Sequence, residues 1–183
     1  TADPIGTALS QRLAATGQRV VTVQPGTQFA QQGHTYTLNP QNPEDYRSLV
    51  QVLVTPGQLS IHWVYGWSLA VASADGATEF YNLLYLAQAL LASDHPTASS
   101  LTVITSGADA VVGTDTVNPQ QAMLSGLCKV IPQETTHLRC RCLDIAMVAV
   151  ETTLAESLLD SLYHELAATA PIVAYRDGYR WVQ

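Results

Sequence analysis

Short β-branched runs and segments of helical period take turns along the whole chain, and most carry a start or stop signal. Asp3-Pro4 reads as an N-cap followed by proline at the first helical position. Behind it Ile5, Leu9 and Leu13 recur at every fourth residue, one helical stripe, with Gly17 as its stop. Arg19 to Val23 is a strand closed by Pro25-Gly26, and the stretch from Phe29 to Thr37 folds back around Gln32-Gly33 as a small hairpin. Asn42-Pro43 opens a second helix with the same cap chemistry and the stripe Tyr46, Leu49, Val50, Leu53. Leu59 to Tyr65 is a strand, Ala77 to Ala92 a helix, Asp94-His95-Pro96 a turn, and Leu101 to Thr105 a buried strand. Asn118-Pro119 begins a helix running to about Ile131. His137 to Leu143 then alternates Leu138, Cys140 and Cys142 against Arg139 and Arg141, as a strand does. Thr153 to Glu156 is a capping box ahead of a helix with Leu158, Leu159, Leu162 and Leu166 inward. Ile172 to Tyr175 and Tyr179 to Val182 form a hairpin about Asp177-Gly178. Such alternation predicts one α/β domain over residues 1–183, with a mostly parallel sheet covered by helices on both faces.

Charge excludes several partners. The net charge is −7, only eight residues are Lys or Arg, and Lys129 is the single lysine. No basic stripe for nucleic acid or an anionic membrane surface can be drawn. No apolar run is long enough to span a bilayer, and Thr1 to Pro4 does not resemble an export sequence. The three cysteines, Cys128, Cys140 and Cys142, give no disulfide framework and no zinc spacing. They read as small buried hydrophobes of a reducing cytoplasm.

The motifs for nucleotide chemistry are missing. A dinucleotide fingerprint needs three glycines between a strand and a helix, and only Gly6 stands near the first helix. Gly107 and Gly113 have no lysine after them, so there is no P-loop. A short-chain reductase needs a tyrosine acid four residues before a lysine; Lys129 places that position at Ser125. Ser106 and Ser125 lie beside glycines but outside the G-x-S-x-G frame. His34, His62, His95, His137 and His164 are too scattered to suggest a metal pair, and His62 reads as a hydrogen-bonded core residue. Asp144 follows a strand, where α/β active sites lie, but its simpler reading is a cap or loop carboxylate. The chain therefore offers no catalytic, cofactor-binding or metal residue.

Three stretches carry a family likeness. They are Leu101 to Ala108; Val117 to Glu134 followed by His137 to Asp144; and Ala174 to Val182. In this order they resemble the structural subdomain of ketoreductases in modular polyketide synthases. Gly17 to Val23 and Asn39 to Tyr46 fit as well. Ser125, Cys128 and Lys129 stand where that family usually has a bulky residue, Gly and Arg. The resemblance implies a truncated Rossmann-like fold without a nucleotide site, packed against a catalytic subdomain. That partner binds NADPH and reduces a β-ketoacyl group held on an acyl carrier protein, beside neighbouring synthase domains. The resemblance also implies an extended segment and a first strand upstream of Asp3.

Three readings of function follow. The first is a non-catalytic brace for that reductase half. The second is a stand-alone α/β enzyme with a non-standard nucleotide site, with Asp144 as a residue to test. The third is a protein-interaction module whose surface is the terminal hairpin, anchored by Tyr175, Tyr179 and Trp181.

Overall fold

The computed structural model describes residues 4–54, 60–69, 76–93, 99–146 and 156–183. The Asp94-His95-Pro96 turn, Asp3, Leu59 and residues 153–155 of the expected capping box lie outside them.

Helix α1 (Pro4–Ala15) buries Ile5 and Leu9 and ends as its glycine requires. Gly17 has φ +80°; its N–H donates to Ala14 O and that of Gln18 donates to Leu13 O, the paired bonds of a left-handed helix stop. Strand β1 (Thr22–Pro25) begins three residues later than the sequence suggests. Its extent is set by pairing with β3 (Thr35–Leu38), which it meets in parallel from Thr22↔Thr35 to Pro25↔Leu38. Strand β2 (Ala30–Gln32) returns antiparallel to β3 around Gly33, as expected of the hairpin. Together they form a small separate sheet in the order β1-β3-β2, which the sequence reading merged into one sheet.

Helices α2 (Pro43–Leu53) and α4 (Pro119–Glu134) start alike. Asn42 and Asn118 are extended and accept the N–H of Glu44 and Gln120 with their side chains, and proline follows at the first helical position. Helix α4 runs past its expected end at Ile131 because Pro132 falls in the last turn, where it removes only one bond.

The main sheet holds β4 (His62–Tyr65), β5 (Ser99–Ser106), β6 (Leu138–Ile145), β7 (Ile172–Arg176) and β8 (Tyr179–Val182) in that order. The first four are parallel and β8 is antiparallel. The closing turn has φ +51° at Asp177 and +79° at Gly178, the geometry that twists with the strands. A short 3-10 turn, Trp67–Leu69, follows β4. Helix α3 (Gly76–Leu91) and α4 share one apolar cluster with Trp63, Leu101, Val103 and Cys140. Helix α5 (Glu156–Glu165) and α1 share another with Ile104, Leu143 and Val173. Helices therefore cover both faces of a mostly parallel sheet, as expected. The crossovers through α3, α4 and α5 advance across the sheet in one direction, yet α5 lies on the opposite face. They cannot all share one hand, so one departs from the right-handed rule.

Candidate functional site

In a parallel α/β sheet, ligands bind beyond the carboxyl ends of the strands. Here the ends of β5, β6 and β7 converge on Asp144. It is no cap or loop residue: β6 continues through it to Ile145, and its side chain is fully buried. The register sets Thr105 and Ala174 beside it on neighbouring strands. Asp144 Oδ1 accepts from Thr105 Oγ1 at 2.8 Å and from the Ala108 N–H at 2.8 Å. Its Oδ2 accepts from the Asp109 N–H at 3.2 Å and from Arg176 Nη2 at 2.5 Å. A carboxylate offers about four acceptor positions, and all of them are taken.

Arg176 fills the rest of this space and is itself buried. Its Nε donates to Asp115 Oδ2 at 2.9 Å, its Nη2 to Asp109 O at 2.9 Å, and its Nη1 to the carbonyls of Tyr175 and Asp144. Asp115 also accepts the N–H groups of Val111 and Val112. Burial pushes its carboxyl upward, but those two N–H groups and Arg176 outweigh burial and hold it below the usual range. Helix α4 closes the side. Gln121 Oε1 accepts the Ser106 N–H and its Nε2 donates to Ser68 O at 2.8 Å, tying β5 to the turn after β4. Ser125, at the reductase tyrosine's position, is buried and donates to Asp109 Oδ2 at 3.1 Å; Lys129 is exposed. The loop from β5 to α4, which would touch a cofactor, is thus bolted down by side chains from β6, β7 and α4.

A second buried ionic group lies at Glu165. It takes Arg141 Nη2 at 2.7 Å, the Tyr175 hydroxyl at 3.0 Å and Arg180 Nε. Arg141 spends its other donors on the carbonyls of Glu165, Ala168 and Ala170. Burial would raise the Glu165 carboxyl, but hydrogen bonds from Arg180, Arg141 and Tyr175 hold it below the ordinary range. Sequence spacing of 24 and 10 residues hid this group. Its only advance signal was an arginine alternating into an apolar strand.

The three hairpin aromatics do not form one patch. The β7–β8 register sets Tyr179 opposite Arg176 and Trp181 opposite Ala174, which places both on the sheet face covered by α4. Both are exposed, at 71% and 45%. Tyr175 points to the other face, half-buried against the α5 cluster and bonded to Glu165. It leaves the candidate surface, and Tyr179 and Trp181 remain. His62 is not a core residue either: it faces outward on edge strand β4, with Nε2 2.8 Å from Thr102 Oγ1. The three cysteines are free and buried. Among the described residues no cluster of His, Cys, Asp or Glu could hold a metal.

Fold and site together define a Rossmann-type α/β domain whose strand-end site is closed by ion pairs. The chain belongs to the beta-ketoacyl synthase-like, N-terminal family, whose profile matches residues 2–165. Among solved structures it is similar to a multidomain structure with adenylation, ketoreductase and pseudo Asub parts, from a keto acid-selecting NRPS module. That match has 23% identity and a TM-score of 0.82, and covers 99% of this chain and 16% of that one. It is also similar to an N-terminal ketoreductase from a macrolactin assembly line, at 16% identity and a TM-score of 0.70, covering 100% of this chain and 38% of that one. A short-chain dehydrogenase/reductase from Brucella ovis shares 16% identity and a TM-score of 0.61, with 96% of each chain covered. This chain thus spans well under half the length of the first two. No curated protein sequence matches it. The fold is the Rossmann-like one that the resemblance implies.

Proposed function

We propose that the chain is the non-catalytic structural subdomain of a ketoreductase in a modular synthase, and that it supports an NADPH-dependent β-ketoacyl reductase half. The observation that carries this reading is the closed strand-end site. Asp144 has no acceptor position left, Arg176 occupies the space beside it, and Ser125 stands in for the proton-donating tyrosine. Opening a nucleotide site there would strand a buried charge, at a cost of several kcal/mol. The stand-alone enzyme reading loses its candidate residue by the same argument. The domain acts instead through its surface, in a cytoplasmic multidomain synthase. NADPH and the carrier-bound substrate belong to the partner half. Among the described residues no helix is long and apolar enough to cross a membrane.

Calorimetry tests this. NADPH titrated into this chain gives no binding heat on the proposed reading. Titrating the chain into the reductase half encoded on the same polypeptide gives saturable heat and increases its NADPH oxidation. Saturable NADPH binding to this chain, abolished in Asp144→Asn, would sink the proposal.

A further inference from the structure

Strand β8 has little of its own to hold it in place. It is four residues long, lies at the margin of the main sheet beyond β7 and buries none of its residues. A two-stranded ribbon is marginal in water unless a further element fixes it. The Gln183 N–H donates to Ile172 O, so by alternation Trp181 pairs with Ala174, and Tyr179 with Arg176, through backbone hydrogen bonds. The side chains of Tyr179 and Trp181 stand on the α4 face. Arg180, between them, lies opposite Tyr175 and points to the α5 face. Among the described residues, Arg180 makes the only side-chain hydrogen bonds of β8.

Its carboxylate partner is Glu165, the last residue of α5. Glu165 Oε1 accepts from Arg180 Nε and from the Tyr175 hydroxyl at 3.0 Å. Its Oε2 accepts from Arg141 Nη2 at 2.7 Å and, more loosely, from Arg180 Nη2 at 3.5 Å. One carboxylate thus gathers side chains from β6, β7 and β8. The two arginines are not equivalent. A carboxylate at a helix C-terminus is disfavoured by the backbone carbonyls there, and Arg141 offsets this. It is buried and also donates to the carbonyls of Glu165, Ala168 and Ala170, so backbone groups hold it independently of the carboxylate. The Arg180 side chain is 40% exposed and pairs with no other carboxylate among the described residues. Arg141 fixes the carboxylate, and the carboxylate fixes Arg180.

We propose that Glu165 is the positioning residue of the terminal hairpin. From the end of α5 it holds Arg180, and through Arg180 the edge strand β8, so that Tyr179 and Trp181 stand in one fixed pose on the opposite face. The Asp177-Gly178 turn fixes which residues pair, and the tie to α5 fixes where the far strand lies. The consequence for docking rests on the proposed function, in which those aromatics meet the reductase half. A surface that samples its binding pose only part of the time binds more weakly by that fraction. Holding β8 from the α5 face removes that loss and leaves the aromatic face free for the partner.

Amide hydrogen exchange on this chain tests it with Arg180→Met, which keeps an apolar stem and removes the donors. The N–H groups of Tyr179 and Trp181 exchange at least about tenfold faster in the variant, while those of Val103 and Leu143 in the central strands are unchanged. Arg180→Lys, which keeps the charge, restores part of the protection. Glu165→Gln loosens the same two amides; because it also leaves Arg141 without its counter-charge, Arg180→Met is the deciding variant. Arg180→Met raises the dissociation constant for the reductase half about tenfold, and Arg180→Lys raises it less. Unchanged exchange at Tyr179 and Trp181 in Arg180→Met overturns the proposal. So does faster exchange that spreads equally to Val103 and Leu143, which makes the pair a part of global stability, and so does an unaltered dissociation constant beside a loosened β8. Failure of the unaltered chain to bind the reductase half sinks the proposed function instead, and the exchange result still decides what holds β8.

Discussion

The carboxyl ends of β5, β6 and β7 and the β7–β8 hairpin are built from the same strands and treat polar groups in opposite ways. At the strand ends the charges pair: buried Asp144 and Arg176 and half-buried Asp115 close on one another and on the backbone of the β5–α4 loop, while Ser106 Oγ at the end of β5 is buried without a hydrogen bond. On the hairpin, β8 has no buried residue and shows Tyr179, Trp181 and Val182 to solvent. A single residue, Arg176, joins the two regions: it plugs the strand-end site and begins the turn into the hairpin. The part of this fold that ordinarily does chemistry is spent on stability, and the part that ordinarily needs protection is left exposed.

Substitutions can break this contrast. The largest effect belongs to Arg176→Ala, which leaves Asp144 buried without its cation. It lowers stability by about 3–5 kcal/mol in urea unfolding, enough to unfold a marginal domain. A loss under about 1 kcal/mol would mean that the strand ends are wet and open. Acid comes next. Asp115 and Glu165 have carboxyls held below their ordinary values, so the stability they contribute is complete above the unfolded carboxylate pKa. It is lost as pH falls through the lower folded values, below about pH 4. A thermal-melt series from pH 6 to pH 2 checks this, and Glu165→Gln flattens it. In the hairpin, Gly178→Ala forces a side chain into φ +79° and costs about 1 kcal/mol. Smallest is Trp181→Ala, which changes stability by about 0.5 kcal/mol or less but weakens association with the reductase half. A large stability loss there would make Trp181 part of the core and erase the comparison.

Local signals were legible in the sequence wherever local chemistry decides the structure. Asn42-Pro43, Asn118-Pro119, Gly17 and Asp177-Gly178 each placed a boundary, because caps and positive-φ turns are set by a few adjacent residues. The alternation of Cys140 and Cys142 against Arg141 gave the faces of β6. Strand register was beyond reach. Asp144 read as a loop carboxylate because nothing local says that Arg176, 32 residues on, returns beside it. The same blindness grouped Tyr175 with Tyr179 and Trp181. They are close in sequence, but the register sends Tyr175 to Glu165 on the opposite face. His62 looked buried because it sits in an apolar run; its edge position reverses that, since among the described residues no strand pairs with β4 on the side away from β5.

Association measured by size-exclusion chromatography with light scattering tests the central claim most directly, using this chain and the reductase half from the same polypeptide. The account predicts a 1:1 complex that forms without NADPH and is weakened by Trp181→Ala, while the thermal melt of the variant alone is unchanged. Two components that elute separately at every concentration tried, with NADPH present or absent, would contradict it.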